Sequence, residues 1–325
     1  MNNWIAPDTN LLPDFIIGGA MKSGTSTIHN ILEKHPKVFI PKKEIGFFDI
    51  DNILEHSDFN FFTDNKWVSQ SMDKDPEKMW RWYQEKFKGK ETSLKGEDST
   101  TYLASKIAAK RISLQKKDIK LIFILRQPSL RAYSNYYHLL RTGRATHSFE
   151  DTLRFNPFTV LNRSLYKEQL ENYYKYIPKS RIKIILFEDL ISNQESVIKE
   201  VCKFLNLNFN DLPKDALNIH SNKASVPKSM TLLIRKNTLL RNLGNARYTN
   251  NLPYKSNFEA KNRPFLVKVI NKIHAKLNPQ LAIDPPKINP ETKRFLDGYF
   301  YEELKGLDEL VGEDVLCKWF NNKKN

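Results

Sequence analysis

The chain has 325 residues, 40% hydrophobic and 27% charged, with a formal net charge of +15. That length and balance suit one large α/β domain, with or without an insert, and the charge favours an anionic partner: nucleic acid, a phosphorylated cofactor, an acidic polysaccharide or a membrane surface. Two cysteines at no metal-ligand spacing, Cys202 and Cys317, exclude a disulfide framework and suit a reducing compartment. No run of residues is long and apolar enough to span a bilayer, and the start, MNNWIAPDTNLLPDF, lacks the basic segment and apolar run of a signal peptide. A soluble cytoplasmic protein without membrane insertion is expected.

Asp14 to Gly19, DFIIGG, is a short apolar run that stops at paired glycines and predicts a buried strand. The polar loop AMKSGTS follows, then Ile28, Ile31 and Leu32 at helical spacing. Strand, glycine-bearing loop, helix opens many nucleotide-binding α/β domains. Lys120 to Leu125, KLIFIL, predicts a second buried strand ending at Arg126. Pro128 permits a helix start, and Leu130, Tyr133, Tyr137 and Leu140 mark one helix face. An amphipathic helix with Leu161, Leu165, Tyr166, Leu170, Tyr173 and Tyr174 comes next. A third strand, Ile182 to Phe187, pairs with a helix carrying Val197, Ile198, Val201 and Leu205, whose apolar side includes Cys202. This alternation predicts a parallel sheet covered on both faces by helices, a three-layer α/β fold. From Lys223 to Lys276 basic residues recur with Glu259 as the one acid, punctuated by Gly244, Pro253 and Pro264. Short helices and loops are expected there, then a closing helix through Phe295, Leu296, Tyr299, Phe300 and Leu304 that packs back on the body. The chain reads as a single domain over residues 1–325, with a core at about 13–220 and a basic helical and loop elaboration at about 221–325.

Between the first strand and helix stand Lys22, Ser23, Gly24, Thr25, Ser26 and Thr27. A glycine lets backbone amides close around a phosphate, the helix N-terminus adds partial positive charge, and the lysine and hydroxyls supply further donors. The same residues also suit a plain helix cap preceded by an exposed lysine. They do not form a Walker A loop, in which the hydroxyl that holds magnesium directly follows a Gly-Lys pair. Here the order is Lys-Ser-Gly-Thr, which counts against a kinase or an NTPase.

Lys-Ser-Gly-Thr-Ser after an apolar strand resembles the 5′-phosphosulfate loop of sulfotransferases. KLIFILRQPSLRAYSNYY resembles their 3′-phosphate strand and helix. HPKVFIPKKEIGFFD, GEDSTTYL, LNRSLYKEQLENYYKYIP and ILFEDLISN resemble the heparan sulfate 3-O- and N-sulfotransferase branch and its bacterial relatives, so the likeness runs from about Pro13 to Leu207. It implies a P-loop-like fold and 3′-phosphoadenosine 5′-phosphosulfate (PAPS) as sulfuryl donor, with no metal. It places Arg126 and Ser134 on the 3′-phosphate, where a guanidinium fork at a strand end is chemically apt. Glu44, in Glu-Ile-Gly-Phe-Phe-Asp, matches the family's catalytic base; the family's histidine in that segment is Gly46 here. Asp98 stands where the glycan enzymes often carry a lysine, and is a rival base, a cationic-acceptor contact or a turn residue. Tyr166 resembles a residue near the cofactor but also suits a core aromatic. His220 to Lys228 resembles the loop that closes over the cofactor, with Lys223, Ser225 and Lys228 as candidate donors. The expected partners are the sulfonucleotide and a carbohydrate or small natural-product acceptor, not nucleic acid. A small-molecule kinase and a non-enzymatic polyanion-binding protein are the alternatives.

Overall fold

The computed structural model describes residues 3–217, 226–241, 252–255, 265–283 and 285–320. In chain order the core elements are β1 (Phe15–Gly19), α1 (Thr25–Glu33), β2 (Val38–Phe39), a hairpin of β3 (Phe61–Thr63) and β4 (Lys66–Val68), α2 (Pro76–Gln84), β5 (Leu94–Asp98) and α3 (Ala108–Ser113). There follow β6 (Lys120–Leu125), α4 (Pro128–Arg141), α5 (Phe149–Phe155), α6 (Phe158–Leu161), α7 (Tyr166–Tyr174), β7 (Ile182–Leu186), α8 (Phe187–Ser192) and α9 (Gln194–Leu205).

Five strands form one sheet in the order β2-β5-β1-β6-β7, and every pairing is parallel. Side chains alternate between the two faces, so Ile16, Leu121, Phe123 and Leu125 pack into one core and Phe15, Ile17, Ile122 and Ile124 into the other. Both faces are covered, which is why these strands read as unbroken apolar runs. No helix among the described residues is long and apolar enough to cross a membrane.

β5 was not expected as a strand, because Lys95, Glu97 and Asp98 make LKGED look like surface. All three are buried and all three are compensated. Lys95 Nζ lies 4.0 Å from Asp14, Glu97 accepts from Tyr83 and Tyr102, and Asp98 meets His29 at 3.1 Å. Gly96 between them is required by space: a Cβ there would stand 2.4 Å from the Phe15 ring and 2.9 Å from Ile40. Gly96→Ala is therefore expected to destabilise the fold by about 1–3 kcal/mol, the usual cost of overpacking, read as a lowered urea midpoint at unchanged slope.

The single amphipathic helix expected through Leu161 and Tyr174 is two helices joined by a turn at Asn162–Ser164. The buried Arg131 guanidinium accounts for the break, since it donates to the Val160 carbonyl and the Ser164 hydroxyl and takes the acceptor a continuous helix would use. The basic C-terminal segment contains a short antiparallel ladder, Val226–Pro227 against Gln280–Leu281, where only helices and loops were expected. The closing helix, Pro290–Glu303, buries Leu296 and Phe300 but leaves Phe295 71% exposed. It docks on α4 through Asp297, whose Oδ1 accepts from Gln127 Nε2 and Ser129 Oγ at 2.7 Å each.

Candidate functional site

β1 delivers the chain to the edge of the sheet formed by the C-terminal strand ends, where open α/β sheets bind ligands. Lys22 (φ 71°) and Gly24 (φ 91°) adopt left-handed backbone conformations there, and Ser23 N donates to Ala20 O at 3.1 Å to close the loop. Gly24 caps α1, and a Cβ on it would lie 2.9 Å from the Phe187 ring. Only glycine suits both the backbone and the space. Lys22, Gly24, Thr25, Ser26 and Thr27 line an open cleft of about 2040 Å³, and α1 brings its N-terminal amides and partial positive charge to the cleft wall. Ser23 is fully buried and does not line the cleft.

Arg126 follows β6 at the same edge and also lines the cleft. Its Nη1 donates to the Lys22 carbonyl at 3.1 Å, and its guanidinium lies 4.6 Å over the Phe187 ring. Its buried Nε has no hydrogen-bond partner among the described residues. An unpartnered buried donor is costly until a ligand takes it, so Arg126 fits an anionic group. Ser134 lines the same cleft from α4, and His138 and Arg141 continue that helix face at i+4 and i+7. Sequence reading missed both, although helical spacing from Ser134 points to them.

Positive charge is concentrated here. Arg144 and Arg163 pair with Asp58 and Glu55, whereas Lys22, Arg126 and Arg141 form no ion pair among the described residues. Burial lowers the Lys22 pKa, and Arg141 and Arg126 lower it further, with Glu44 opposing. His138 is pushed down to about 4 by burial and then by Lys22, Arg141, Arg144 and Arg163, so its imidazole is neutral at physiological pH. Each bound negative charge would relieve this repulsion.

Glu44 lines the same cleft. Its Oε2 accepts from Thr100 Oγ1 at 2.8 Å and Thr100 N at 3.3 Å. The loop that carries it is clamped to the end of β5. Ser99 Oγ accepts from Gly46 N at 2.8 Å, Tyr102 Oη accepts from Phe48 N at 3.0 Å, and both hydroxyls donate to Glu97. Tyr83 adds a third donor, yet burial still pushes Glu97 up to about 7. Glu44 itself is enclosed by protein at depth, but its side chain opens to the cleft and is exposed to water there. Burial and the Asp98 charge raise its pKa, opposed by the Thr100 hydrogen bonds and Arg163. Water in the open cleft limits that shift; a filled cleft enlarges it.

Three candidates stand elsewhere. Asp98 is buried and bonded to His29, and it lies behind the cleft rather than on its wall. It acts on Glu44 as a nearby charge, and it is not among the residues that line the cleft. Tyr166 is fully buried, and its hydroxyl donates to the Arg126 carbonyl at 2.9 Å. That makes it a support for Arg126 rather than a cofactor contact. Lys228 is exposed beside the short ladder, outside the cleft lining. Lys223 and Ser225 lie outside the described residues.

Residues 13–211 match the sequence model of the Sulfotransferase family. The heparan sulfate glucosamine 3-O-sulfotransferase 5 of Mus musculus is 28% identical over 207 residues, 60% of this chain and 54% of that protein. The bifunctional heparan sulfate N-deacetylase/N-sulfotransferase 2 of Homo sapiens is 27% identical over 218 residues, covering 60% of this chain and 22% of that one. The match thus spans about half the length of the first of these relatives and less of the second. The crystal structure of a sulfotransferase from Alicyclobacillus acidocaldarius has the same fold, with a TM-score of 0.60 at 21% identity over 95% of this chain and 98% of that one. With the family match extending over more than half its length, from the first strand through the last helix of the core, the chain belongs to the sulfotransferase family.

Proposed function

We propose that the protein moves a sulfuryl group from PAPS to an acceptor hydroxyl or amine. The observation that carries this reading is a pair of cationic stations, the Lys22 loop and Arg126 with Ser134, that line one cleft together with the carboxylate of Glu44. A donor with phosphate at both its 5′ and 3′ positions matches two stations; a mononucleotide matches one. Lys22 and the α1 N-terminus would hold the 5′-phosphosulfate, and Arg126 and Ser134 the 3′-phosphate. The acceptor oxygen or nitrogen forms a bond to sulfur as the bond from sulfur to the bridging phosphate oxygen breaks. That oxygen keeps the electron pair, and the acceptor proton passes to Glu44. Lys22 is placed to stabilise the charge that grows on the departing oxygen.

The names of the relatives favour a carbohydrate acceptor, and Lys42, Lys43, Lys86 and Arg144 on the cleft wall suit an acidic one. Isothermal calorimetry is the direct test. 3′-Phosphoadenosine 5′-phosphate should bind far more tightly than AMP or ATP, and Arg126→Ala should cost up to about 3 kcal/mol, as for losing hydrogen bonds to a charged group. Equal affinity for AMP would remove the Arg126–Ser134 assignment.

A further inference from the structure

The geometry points to His56 as an acceptor-contacting residue, an imidazole held over the Glu44 loop so that its free nitrogen shares a hydrogen bond with a polar group beside the reacting one. The inference rests on the sulfuryl-transfer reading above and adds to it a residue and a class of acceptor, one with more than one hydrogen-bonding group.

Gly46 follows Glu44 by two residues, with φ +61°. A Cβ on it would lie 3.2 Å from both Cε1 and Nε2 of His56, and 3.7 Å from Asp49 Oδ1. An imidazole from ten residues further along the chain therefore occupies the space above this loop, and glycine at 46 leaves room for it. The ring is fixed on several sides. Nε2 is 2.7 Å from Asp49 Oδ1 and 3.3 Å from Thr101 Oγ1, and the ring stacks on Phe59 at 4.3 Å with planes 7° apart. Thr101 adjoins Thr100, whose hydroxyl holds Glu44, so consecutive residues after β5 position the base and the imidazole.

The tautomer follows from Asp49. Its carboxylate is fully buried, and Oδ2 has no partner among the described residues. A buried carboxylate left without a donor is strongly destabilising, so Nε2 carries the proton and donates to Oδ1. Nδ1 is then the ring nitrogen left for a further hydrogen bond. No described residue bonds Nδ1, and His56 lines the cleft with its side chain 10% exposed. A fixed ring nitrogen without a partner among the described residues, on a side chain that lines the same cleft as Glu44, is placed to orient a ligand rather than to complete the core.

His56→Gln separates the two roles. Its amide N–H can still reach Asp49, but nothing replaces Nδ1. Two acceptors serve as probes: a heparan sulfate oligosaccharide, which has groups next to each reacting position, and p-nitrophenol, which has one hydroxyl and none beside it. The variant should lose roughly three- to ten-fold in kcat/KM for the oligosaccharide, the range for one uncharged hydrogen bond. It should keep wild-type kcat/KM for p-nitrophenol and wild-type affinity for 3′-phosphoadenosine 5′-phosphate. Equal losses with both acceptors would mean that His56 only supports the loop, and no loss with either would remove the contact; both results overturn the inference while sulfuryl transfer stands. Wild-type protein that neither binds the nucleotide nor turns over either acceptor would instead sink the reading beneath it.

Discussion

Glu44→Gln is expected to lower turnover by roughly two to four orders of magnitude, the range for losing a general base, while nucleotide binding stays almost unchanged. The split follows from the proposed roles: Glu44, held by Thr100, lines the same cleft as Lys22 and Arg126 and is assigned to the acceptor rather than to the donor phosphates. Its pKa is raised by burial and by Asp98. The sign of the pH dependence follows from that shift. The base works deprotonated, so turnover should climb with pH through a value above the usual carboxylate range, and the glutamine variant should lack that limb. Asp98→Asn is the companion measurement. Asp98 is buried on His29, and the Asp98 hydrogen bond and charge raise the imidazole's pKa although burial alone would lower it. Removing the carboxylate should affect folding more than chemistry. Pre-steady-state turnover at saturating donor distinguishes them. A Glu44→Gln enzyme with near-normal turnover beside a dead but folded Asp98→Asn enzyme would reverse the roles.

The parts of the fold and site that could be read from the sequence are those that local pattern determines. β1, β6 and β7 are apolar runs because both faces of a parallel sheet are buried; Lys22 and Arg126 follow two of those runs, and Ser134 lies within the helix that comes after the second. β5 stayed hidden because its charges are compensated by residues distant in the chain: Asp98 by His29, 69 positions away, and Lys95 by Asp14. No period or propensity carries that information. Asp98 and Tyr166 looked like site residues for the converse reason. Their neighbours in sequence line the cleft, while their own side chains turn inward to His29 and to the Arg126 carbonyl. Arg141, Arg144 and Arg163 meet only after α4 and the turn before α7 are folded, and His56 reaches Gly46 only through the loop that Asp49 anchors.

Lys22→Ala should differ in kind from the base variant by weakening donor binding and turnover together. Lys22 borders the glycine loop, its carbonyl accepts from Arg126, and its ammonium is crowded by Arg141 and Arg126 while half-buried. Such crowding is unfavourable in the free protein and is relieved when an anion enters, so the charge favours binding more than an isolated surface lysine would. In the proposed transfer, negative charge grows further on the bridging oxygen as its bond to sulfur breaks, so part of the interaction would be made only in the transition state. Loss of one preorganised donor of this kind costs about 10²- to 10³-fold in kcat, on top of weaker nucleotide binding by calorimetry. Lys22→Arg keeps the charge but spreads it over a planar fork, and the left-handed loop at Lys22 and Gly24 fixes where that fork begins. The arginine variant should therefore recover binding more fully than turnover. Recovery of both in equal measure would mean that Lys22 contributes only uniform electrostatic attraction, and the group placed on the leaving oxygen would have to be sought in Arg141 or His138.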